Sequence, residues 1–169
     1  MAPYVESSRN KFKKILDPFK DTITEEVYNK IVDILTKVDI KAGIQTIQYQ
    51  VNTLMTCNGQ TPFISVCMDI NEARNEQEQK DLALIIEEVF KQRIQGIKNE
   101  DGVWVTPAFP KLLYVLDENN VREGSEYFYL TKLAAKCTAK RMVPDYISAK
   151  KMRELKEGNV FPCINKACA

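Results

Sequence analysis

The sequence predicts a helix-rich α/β chain, and three observations carry that prediction. Leu82, Ile85, Ile86, Val89, Phe90 and Ile94 recur at helical spacing within a segment from Glu76 to about Ile97. Two short runs rich in aromatic and β-branched types flank that segment as buried strands, Phe63-Ile64-Ser65-Val66-Cys67-Met68 and Lys111-Leu112-Leu113-Tyr114-Val115-Leu116. Strand, helix and strand over roughly fifty residues is the layout of a βαβ unit, with a right-handed crossover. Finally, an apolar helical pattern runs through Val51 and stops at Cys57-Asn58-Gly59-Gln60, after which Pro62 opens the first strand run. Asn58-Gly59 suits that boundary because both residues tolerate the positive φ that ends a helix or reverses a chain.

The first helix is expected over residues 3 to 17, with a basic face of Arg9, Lys11, Lys13 and Lys14 backed by Phe12, Ile15 and Leu16. Asp17-Pro18 breaks it. Thr22 and Glu25 have capping-box spacing, so a second helix should start near Ile23. Val27, Ile31, Ile34, Leu35 and Val38, then Ile44, Ile47, Val51 and Leu54, place apolar residues along it. That pattern is either one long helix or two joined near Asp39 to Gly43. Beyond the first strand run, the start of Asp69 to Glu78 holds no clear element. In the helix from Glu76, the charged residues Glu87, Glu88, Lys91 and Arg93 are read as pointing away from the core. Lys98 to Gly102 is a polar loop, and Val103 to Pro110 carries the lone Trp104 and Phe109. After the second strand, Asp117 to Gly124 reads as a charged loop and Ser125 to Met142 as helix. Pro144 to Ile147 breaks that helix, and a short one follows from Ser148 to Lys156, ended by Gly158.

The chain of 169 residues is long enough for one domain with a core, and its 44% hydrophobic and 28% charged content is ordinary for a globular protein. A net charge of +1 gives no case for bulk binding to nucleic acid or membrane surfaces. No apolar run approaches the ~20 residues that span a bilayer. The opening Met1 to Lys14 lacks the basic-then-apolar layout of a signal peptide, and the five cysteines are odd in number. Together these read as reduced thiols in a cytoplasmic protein.

The sequence contains no histidine, which removes the usual general base, the commonest metal ligand and every Ser-His or Cys-His pair. Cys163 and Cys168 resemble half a zinc site, but the remaining cysteines are scattered and four ligands are needed, so no metal is expected. Cys57, Cys67 and Cys137 sit in apolar runs and read as small core residues. Glu25-Glu26 and Glu87-Glu88 fall on helix faces assigned to solvent. The six glycines are dispersed, so no phosphate-cradling loop exists. Lys136, Lys140 and Arg141 form a basic helical cluster, solvated or facing phosphate.

Five collinear blocks carry a resemblance. They are Ala2-Pro3-Tyr4-Val5 with Ser8 and Lys11; Tyr49 to Leu54 with Asn58-Gly59-Gln60-Thr61-Pro62-Phe63; Lys91 to Gly96; Pro107 to Leu112; and Leu133 to Cys137 continuing through Ala139 to Met142 and Pro144 to Lys150. In these blocks the sequence resembles the anaerobic (class III) ribonucleoside-triphosphate reductases, which are glycyl-radical enzymes. The resemblance implies a helix-rich partial slice of a ten-stranded α/β barrel. Residues 1–58 would form a helical dimer and effector side, and residues 59–169 a partial half-barrel. It implies a ribonucleoside triphosphate substrate, a deoxynucleotide effector read at a homodimer contact, and formate as the reductant in many members. It further implies a glycyl radical installed by a separate iron–sulfur, S-adenosylmethionine-dependent activase.

The resemblance assigns one residue with specificity. Lys11 ends a Tyr-Val-x-x-Ser-x-x-Lys run, and the family's lysine there contacts effector phosphates, a role that suits an ammonium point charge. Asn58, Gly59 and Gln60 lead into what the resemblance makes a barrel strand and are expected to shape its start; nearness to the substrate is the alternative role for them, which the resemblance does not assign. No catalytic residue is expected in this chain. In the family, the run like Val160-Phe161-Pro162-Cys163 continues as Met-Gly-Cys-Arg-Ser, whose cysteine carries the thiyl radical. Here Lys166 occupies that cysteine's place, and Cys168 comes two positions late. The expectation is therefore an internal segment of the enzyme that is inactive alone, with no cofactor of its own. A split enzyme completed by a second polypeptide is another reading. The rival from a different class is a stand-alone α/β module that binds nucleotide or nucleic-acid phosphates through its basic helices.

Overall fold

The computed structural model describes residues 2–54, 59 and 63–156. Helix α1 (Ala2–Leu16) buries Ala2, Val5 and Ser8, which share a face at three-residue spacing. Phe12 and Leu16 continue that face, but Ile15 is 54% exposed and does not back it. Pro18 sits in a single 3-10 turn over Asp17–Phe19 that ends the helix as expected. Helix α2 (Glu25–Thr53) is one continuous helix of 29 residues. It starts after Thr24 rather than Thr22, because the Thr22 N–H is already used in a turn, donating to the Phe19 carbonyl at 3.0 Å.

The sequence places the apolar face of α2 along Val27, Ile31, Ile34, Leu35 and Val38, then Ile44, Ile47, Val51 and Leu54. Of these only Val51 is buried, with Ile31, Leu35 and Ile44 half-buried, and the other buried residues are Tyr28, Val32, Thr36, Ile40 and Gln48. Val27, Ile34 and Val38 stay exposed. The buried face holds residues that polarity alone would leave out. The Thr36 hydroxyl satisfies itself on the Val32 carbonyl one turn back.

Strand β1 (Ser65–Met68) leads through a 3-10 turn at Ile70–Glu72 into helix α3 (Glu76–Gln95). The Asn75 side chain caps α3 by accepting from the Glu78 N–H, and Gly96 ends it at a φ of 86°. The polar loop expected after α3 is the turn of a small antiparallel hairpin, β2 (Ile97–Lys98) with β3 (Trp104–Val105). Strand β4 (Lys111–Leu116) matches its predicted span. Helix α4 (Glu118–Val121) interrupts the expected charged loop, with Asp117 and Asn120 forming a reciprocal capping box. Helix α5 (Phe128–Arg141) follows. The segment read as a break after it contains strand β5 (Asp145–Ser148), and the Ser148 hydroxyl then caps helix α6 (Ala149–Leu155).

β1, β4 and β5 form one parallel sheet in chain order, with Met68, Tyr114 and Tyr146 in one row. The crossover helices α3 and α5 pack against each other, so both cover the same face of the sheet. That face holds the main core, where Met68, Leu112 and Tyr114 meet Ile86 and Phe90 of α3 and Leu130, Ala134 and Cys137 of α5. The Phe90 and Tyr114 rings meet edge to face, 5.3 Å apart. A smaller cluster of Val5, Ile40 and Ile85 fastens α1 and α2 to α3. Among the described residues the sheet is open at β1 and β5, and no barrel closes.

Arg93 corrects the sequence reading outright: it is 3% exposed and points inward. Its guanidinium donates to the carbonyls of Pro107 and Pro110, each at 2.6 Å, and so anchors the run leading into β4. Only its charge spoke for an outward position, because Ile86, Val89, Phe90 and Arg93 follow one another on the apolar face. No helix of the described residues is long and apolar enough to cross a membrane.

Candidate effector-facing surface and strand junction

Three polar contacts orient α1. The Ser8 hydroxyl donates to Asp39 at 2.6 Å, Tyr4 donates to the same carboxylate at 3.4 Å, and Arg9 pairs with the buried Asp81 of α3. With that side of α1 held against α2 and α3, Lys11 is exposed on the outer side. There Pro3, Glu6, Ser7, Asn10, Lys11 and Lys14 line a shallow concavity. Lys11 Nζ lies 5.1 Å from the centre of the neighbouring Phe12 ring. Neither Lys11 nor Lys14 forms an ion pair among the described residues, and one helical turn separates them. Two ammonium groups stand there with hydroxyl and amide neighbours and one carboxylate, Glu6, so the cations outnumber the anion on a surface open to solvent.

Of the three residues assigned to the strand start, Asn58 and Gln60 lie outside the described residues. Gly59 is exposed at a φ of 74°, and a Cβ there would meet nothing within 4 Å. This is the left-handed turn geometry read from Asn58-Gly59. No described contact joins Gly59 to Lys11. The junction beyond it is firmly built. Phe63 meets Phe109 edge to face at 4.8 Å, and the Lys111 N–H donates to the Ile64 carbonyl at 2.8 Å. Asn52, at the end of α2, donates to the Phe109 carbonyl at 3.1 Å.

Arg141 corrects another reading. It is not a phosphate-facing member of a basic cluster, since its guanidinium donates to the carbonyls of Ile94 (3.1 Å) and Gln95 (2.7 Å) and to the Thr106 hydroxyl (2.9 Å). With Arg93 it clamps residues 106–110, which leaves Lys136 and Lys140 as the exposed members of that cluster.

The thiols are built for packing. Burial pushes the Cys67 thiol up to about 11, with Asp69 and Glu72 adding to the effect. Burial likewise pushes Cys137 up to about 11, against the pull of Arg93 and Arg141. Both stay protonated at neutral pH and are poor nucleophiles. Cys57, Cys163, Lys166 and Cys168 lie outside the described residues. The described residues hold no group of three or more acidic or cysteine side chains able to bind a metal ion. Three of the four paired carboxylates are spent on neighbours, Glu26 on Lys30, Glu87 on Lys91 and Glu88 on Gln92, and Glu25 is exposed to solvent.

Sequence reasoning missed one polar cluster, at the carboxyl ends of β1 and β4. Asp117 accepts from Arg153, from Asn71 at 2.8 Å and from the Glu118 N–H at 2.9 Å. Burial raises its carboxyl, but Arg153 and these hydrogen bonds outweigh burial and hold it below the ordinary carboxylate range. Asp69 is shifted the opposite way by burial, against the Asn71 N–H that it accepts. A charged residue directly after each strand was the available signal, because α/β sheets gather functional groups outside their strand carboxyl ends.

The family model for anaerobic ribonucleoside-triphosphate reductase matches residues 1–169. The chain is 32% identical over 169 residues to the anaerobic ribonucleoside-triphosphate reductase of Enterobacteria phage T4, covering 99% of this chain and 26% of that protein. It is 31% identical over 150 residues to the enzyme of that name from Escherichia coli (strain K12), covering 88% of this chain and 19% of the relative. The Haemophilus influenzae protein of that name matches to the same extent. The chain thus spans about a quarter or less of the length of these relatives.

Proposed function

The chain belongs to the anaerobic ribonucleoside-triphosphate reductase family, and from that premise we propose that it forms an effector-reading helical side and an arc of barrel wall of an enzyme that reduces ribonucleoside triphosphates. The match along residues 1–169 is the observation that carries the reading. The sheet supports the barrel arc: its three parallel strands follow chain order, and both crossover helices lie on one face. Successive strands added on one side, with helices outside, make the wall of a closed barrel. A sheet wound in both directions would carry helices on both faces.

In this reading Lys11 meets the phosphates of a deoxynucleotide effector, with Lys14 one turn away. The exposed stripe of Val27, Ile34 and Val38 on α2 supports a homodimer contact beside it. Residues 106–110, clamped by Arg93 and Arg141, hold the strand start at Phe63 and Ile64 in place. The radical chemistry belongs to the whole enzyme, with a glycyl radical installed by its activase. The chain does not turn over by itself, because Lys166 stands where the resemblance puts the radical cysteine and an ammonium side chain carries no thiyl radical.

Equilibrium dialysis against deoxynucleoside triphosphates tests the effector side. The chain should retain at least one of them, and Lys11→Ala should weaken retention about tenfold, the loss of one charge-assisted contact. Equal retention by both proteins overturns the assignment of Lys11. Anaerobic assays with each ribonucleoside triphosphate and activase test the rest. Deoxynucleotide formation above the activase-only control would show that the chain carries its own radical thiol.

A further inference from the structure

Helix α5 carries three lysines and an arginine but no acidic residue. Arg141 is spent on carbonyls inside the fold, whereas Lys132, Lys136 and Lys140 are exposed and stand one helical turn apart. Leu130, Ala134 and Cys137 are the buried side of the helix, so the three ammonium groups share its outer face. None of them forms an ion pair among the described residues, while Lys30, Lys91 and Lys151 each pair with a glutamate of their own helix. Lys132 lies over the neighbouring Phe128 ring, 4.9 Å from its centre. Like charges at this spacing weaken a helix. The helix dipole favours Lys140 in the last turn, but Lys132 and Lys136 lie too far back to gain from it. Ala135 and Ala139 are exposed between the lysines. Met142 directly follows α5 and is 87% exposed. Among the described residues it is the one non-glycine at positive φ, 59°. Glycine or asparagine would take that place after a helix with less strain, so a methionine with its thioether in solvent does nothing for the fold alone.

We propose that the outer face of α5 is a docking surface for an acidic, amphipathic segment of another polypeptide. Its carboxylates pair with Lys132, Lys136 and Lys140, and its apolar side chains cover Ala135, Ala139 and Met142. Charge sets the sign of the partner, because three cations with no anion among them are complemented by carboxylates or phosphates. The apolar residues choose between the two. A sugar-phosphate backbone gains little from two alanines and a methionine, and a net charge of +1 draws no polynucleotide from a distance. Alanines instead let a partner's backbone come close, and methionine packs against varied shapes. With no large apolar side chain at its centre, the contact is a reversible, salt-sensitive one. It lies on α5 and so does not rest on the reading of Lys11 as an effector contact.

Fluorescence anisotropy of labelled probes titrated with the 169-residue chain is the test. The first probe is a helical peptide of about 20 residues, with glutamates one turn apart beside a row of leucines. A peptide of the same composition in shuffled order and a single-stranded oligodeoxynucleotide of equal charge are the controls. The ordered peptide should bind more tightly than either control, and less tightly as salt rises from about 50 to about 150 mM. Lys136→Glu with Lys140→Glu should weaken it about tenfold. Met142→Gly should keep or raise the thermal midpoint, because the left-handed position suits glycine, and should still weaken the peptide severalfold. Absence of binding by the ordered peptide overturns the proposal, and so does equal binding of the shuffled one. Tighter binding of the oligodeoxynucleotide would make this a phosphate-reading face instead. Unchanged affinity in the lysine double variant would place the contact elsewhere on the chain and overturn it as well.

Discussion

Arg9 and Asp81 tie α1 to α3 through a two-pronged ion pair in which the carboxylate is almost wholly buried, at 3% exposure, while the guanidinium is 19% exposed. Gln77 adds a hydrogen bond to the same carboxylate at 3.0 Å. The two halves of the pair should therefore respond unequally to removal. Arg9→Ala strands a buried charge with one neutral partner, and should cost about 3 kcal/mol. Asp81→Ala leaves a guanidinium that can turn to water, and about 1–2 kcal/mol is expected once solvent screening is allowed for. Urea unfolding of both variants checks the order. Equal losses would mean that the buried carboxylate has further compensation.

Among the described glycines Gly96 is the least replaceable. Its φ of 86° and ψ of −168° form a backbone conformation open almost only to glycine. A Cβ there would lie 2.5 Å from the Val105 carbonyl oxygen and 2.9 Å from an Arg141 guanidinium nitrogen. Gly96→Ala should cost at least about 2 kcal/mol, from strain and from displacement of the hairpin and Arg141 together. Gly59→Ala and Gly102→Ala carry strain alone, since no atom lies within 4 Å of their added Cβ. Chemical denaturation should rank Gly96→Ala well below both.

These arrangements show where the sequence was legible. β4, α3 and the βαβ order followed from long, strongly periodic runs in which propensity and burial agree. β5 was read as a break because Pro144 and Asp145 are poor strand formers, and a short strand at a sheet edge takes them without penalty. Arg93 and Arg141 were read as outward because a charged side chain is normally solvated. Only the three-dimensional fold shows that the last carbonyls of α3, at residues 94–95, and those of Pro107 and Pro110 converge on them. The buried side of α2 was hidden for a related reason: Thr36 and Gln48 are inside, while Ile34 and Val38 are out. Lys11 was legible as a surface cation from its helical position, and the effector role proposed for it rests on the family's motif alone.

The thiols give a test of burial on the described core. With Cys67 and Cys137 pushed up to about 11, each is about one-thousandth thiolate at pH 8. Native-state alkylation at these two sites, mapped by mass spectrometry, should run roughly two orders of magnitude slower than in denaturant. The raised pKa also fixes a sign. Stability from the buried neutral thiols is present below about pH 8.5 and is lost as pH climbs toward 11, because the unfolded chain gives up those protons first. Fast native labelling of Cys137 would show that α5 opens readily.

Asp117 sets the acid limb. Its folded carboxyl sits below the ordinary range, so its contribution is present above the unfolded pKa of about 3.9 and is lost as pH falls through the lower folded value. Asp69, raised by burial, works in the opposite direction. Asp117→Asn should therefore flatten the acid-side loss of stability, and Asp69→Asn should raise stability near neutral pH. Thermal midpoints from pH 3 to 7 for both variants read the two signs separately. A steeper acid limb in Asp117→Asn would mean that Arg153 does not hold the carboxylate in solution.

The last prediction concerns α2. Val27, Ile34 and Val38 recur on one face of that helix at 44%, 61% and 59% exposure, with the half-covered Ile31 between them. Tyr49, 68% exposed, continues the same face toward the helix end. Covering one such side chain fully is worth roughly 1.5–3 kcal/mol. Total domain stability is only about 5–15 kcal/mol, so a contiguous stripe is a strong drive to associate. Among the described residues β1 and β5 each keep one unpaired side, a second drive, because unpaired strand edges recruit further strands. The two drives are separable. Ile34→Lys with Val38→Glu removes the stripe and leaves both edges intact. If association runs through α2, size-exclusion chromatography with light scattering should show a dimer for the parent and a 19.4 kDa monomer for the double variant. If it runs through the sheet edges, both proteins should form the same larger species. A monomeric parent with a sharp thermal transition would show that the exposed stripe lacks a self-complementary partner, and would remove the homodimer from the proposed function.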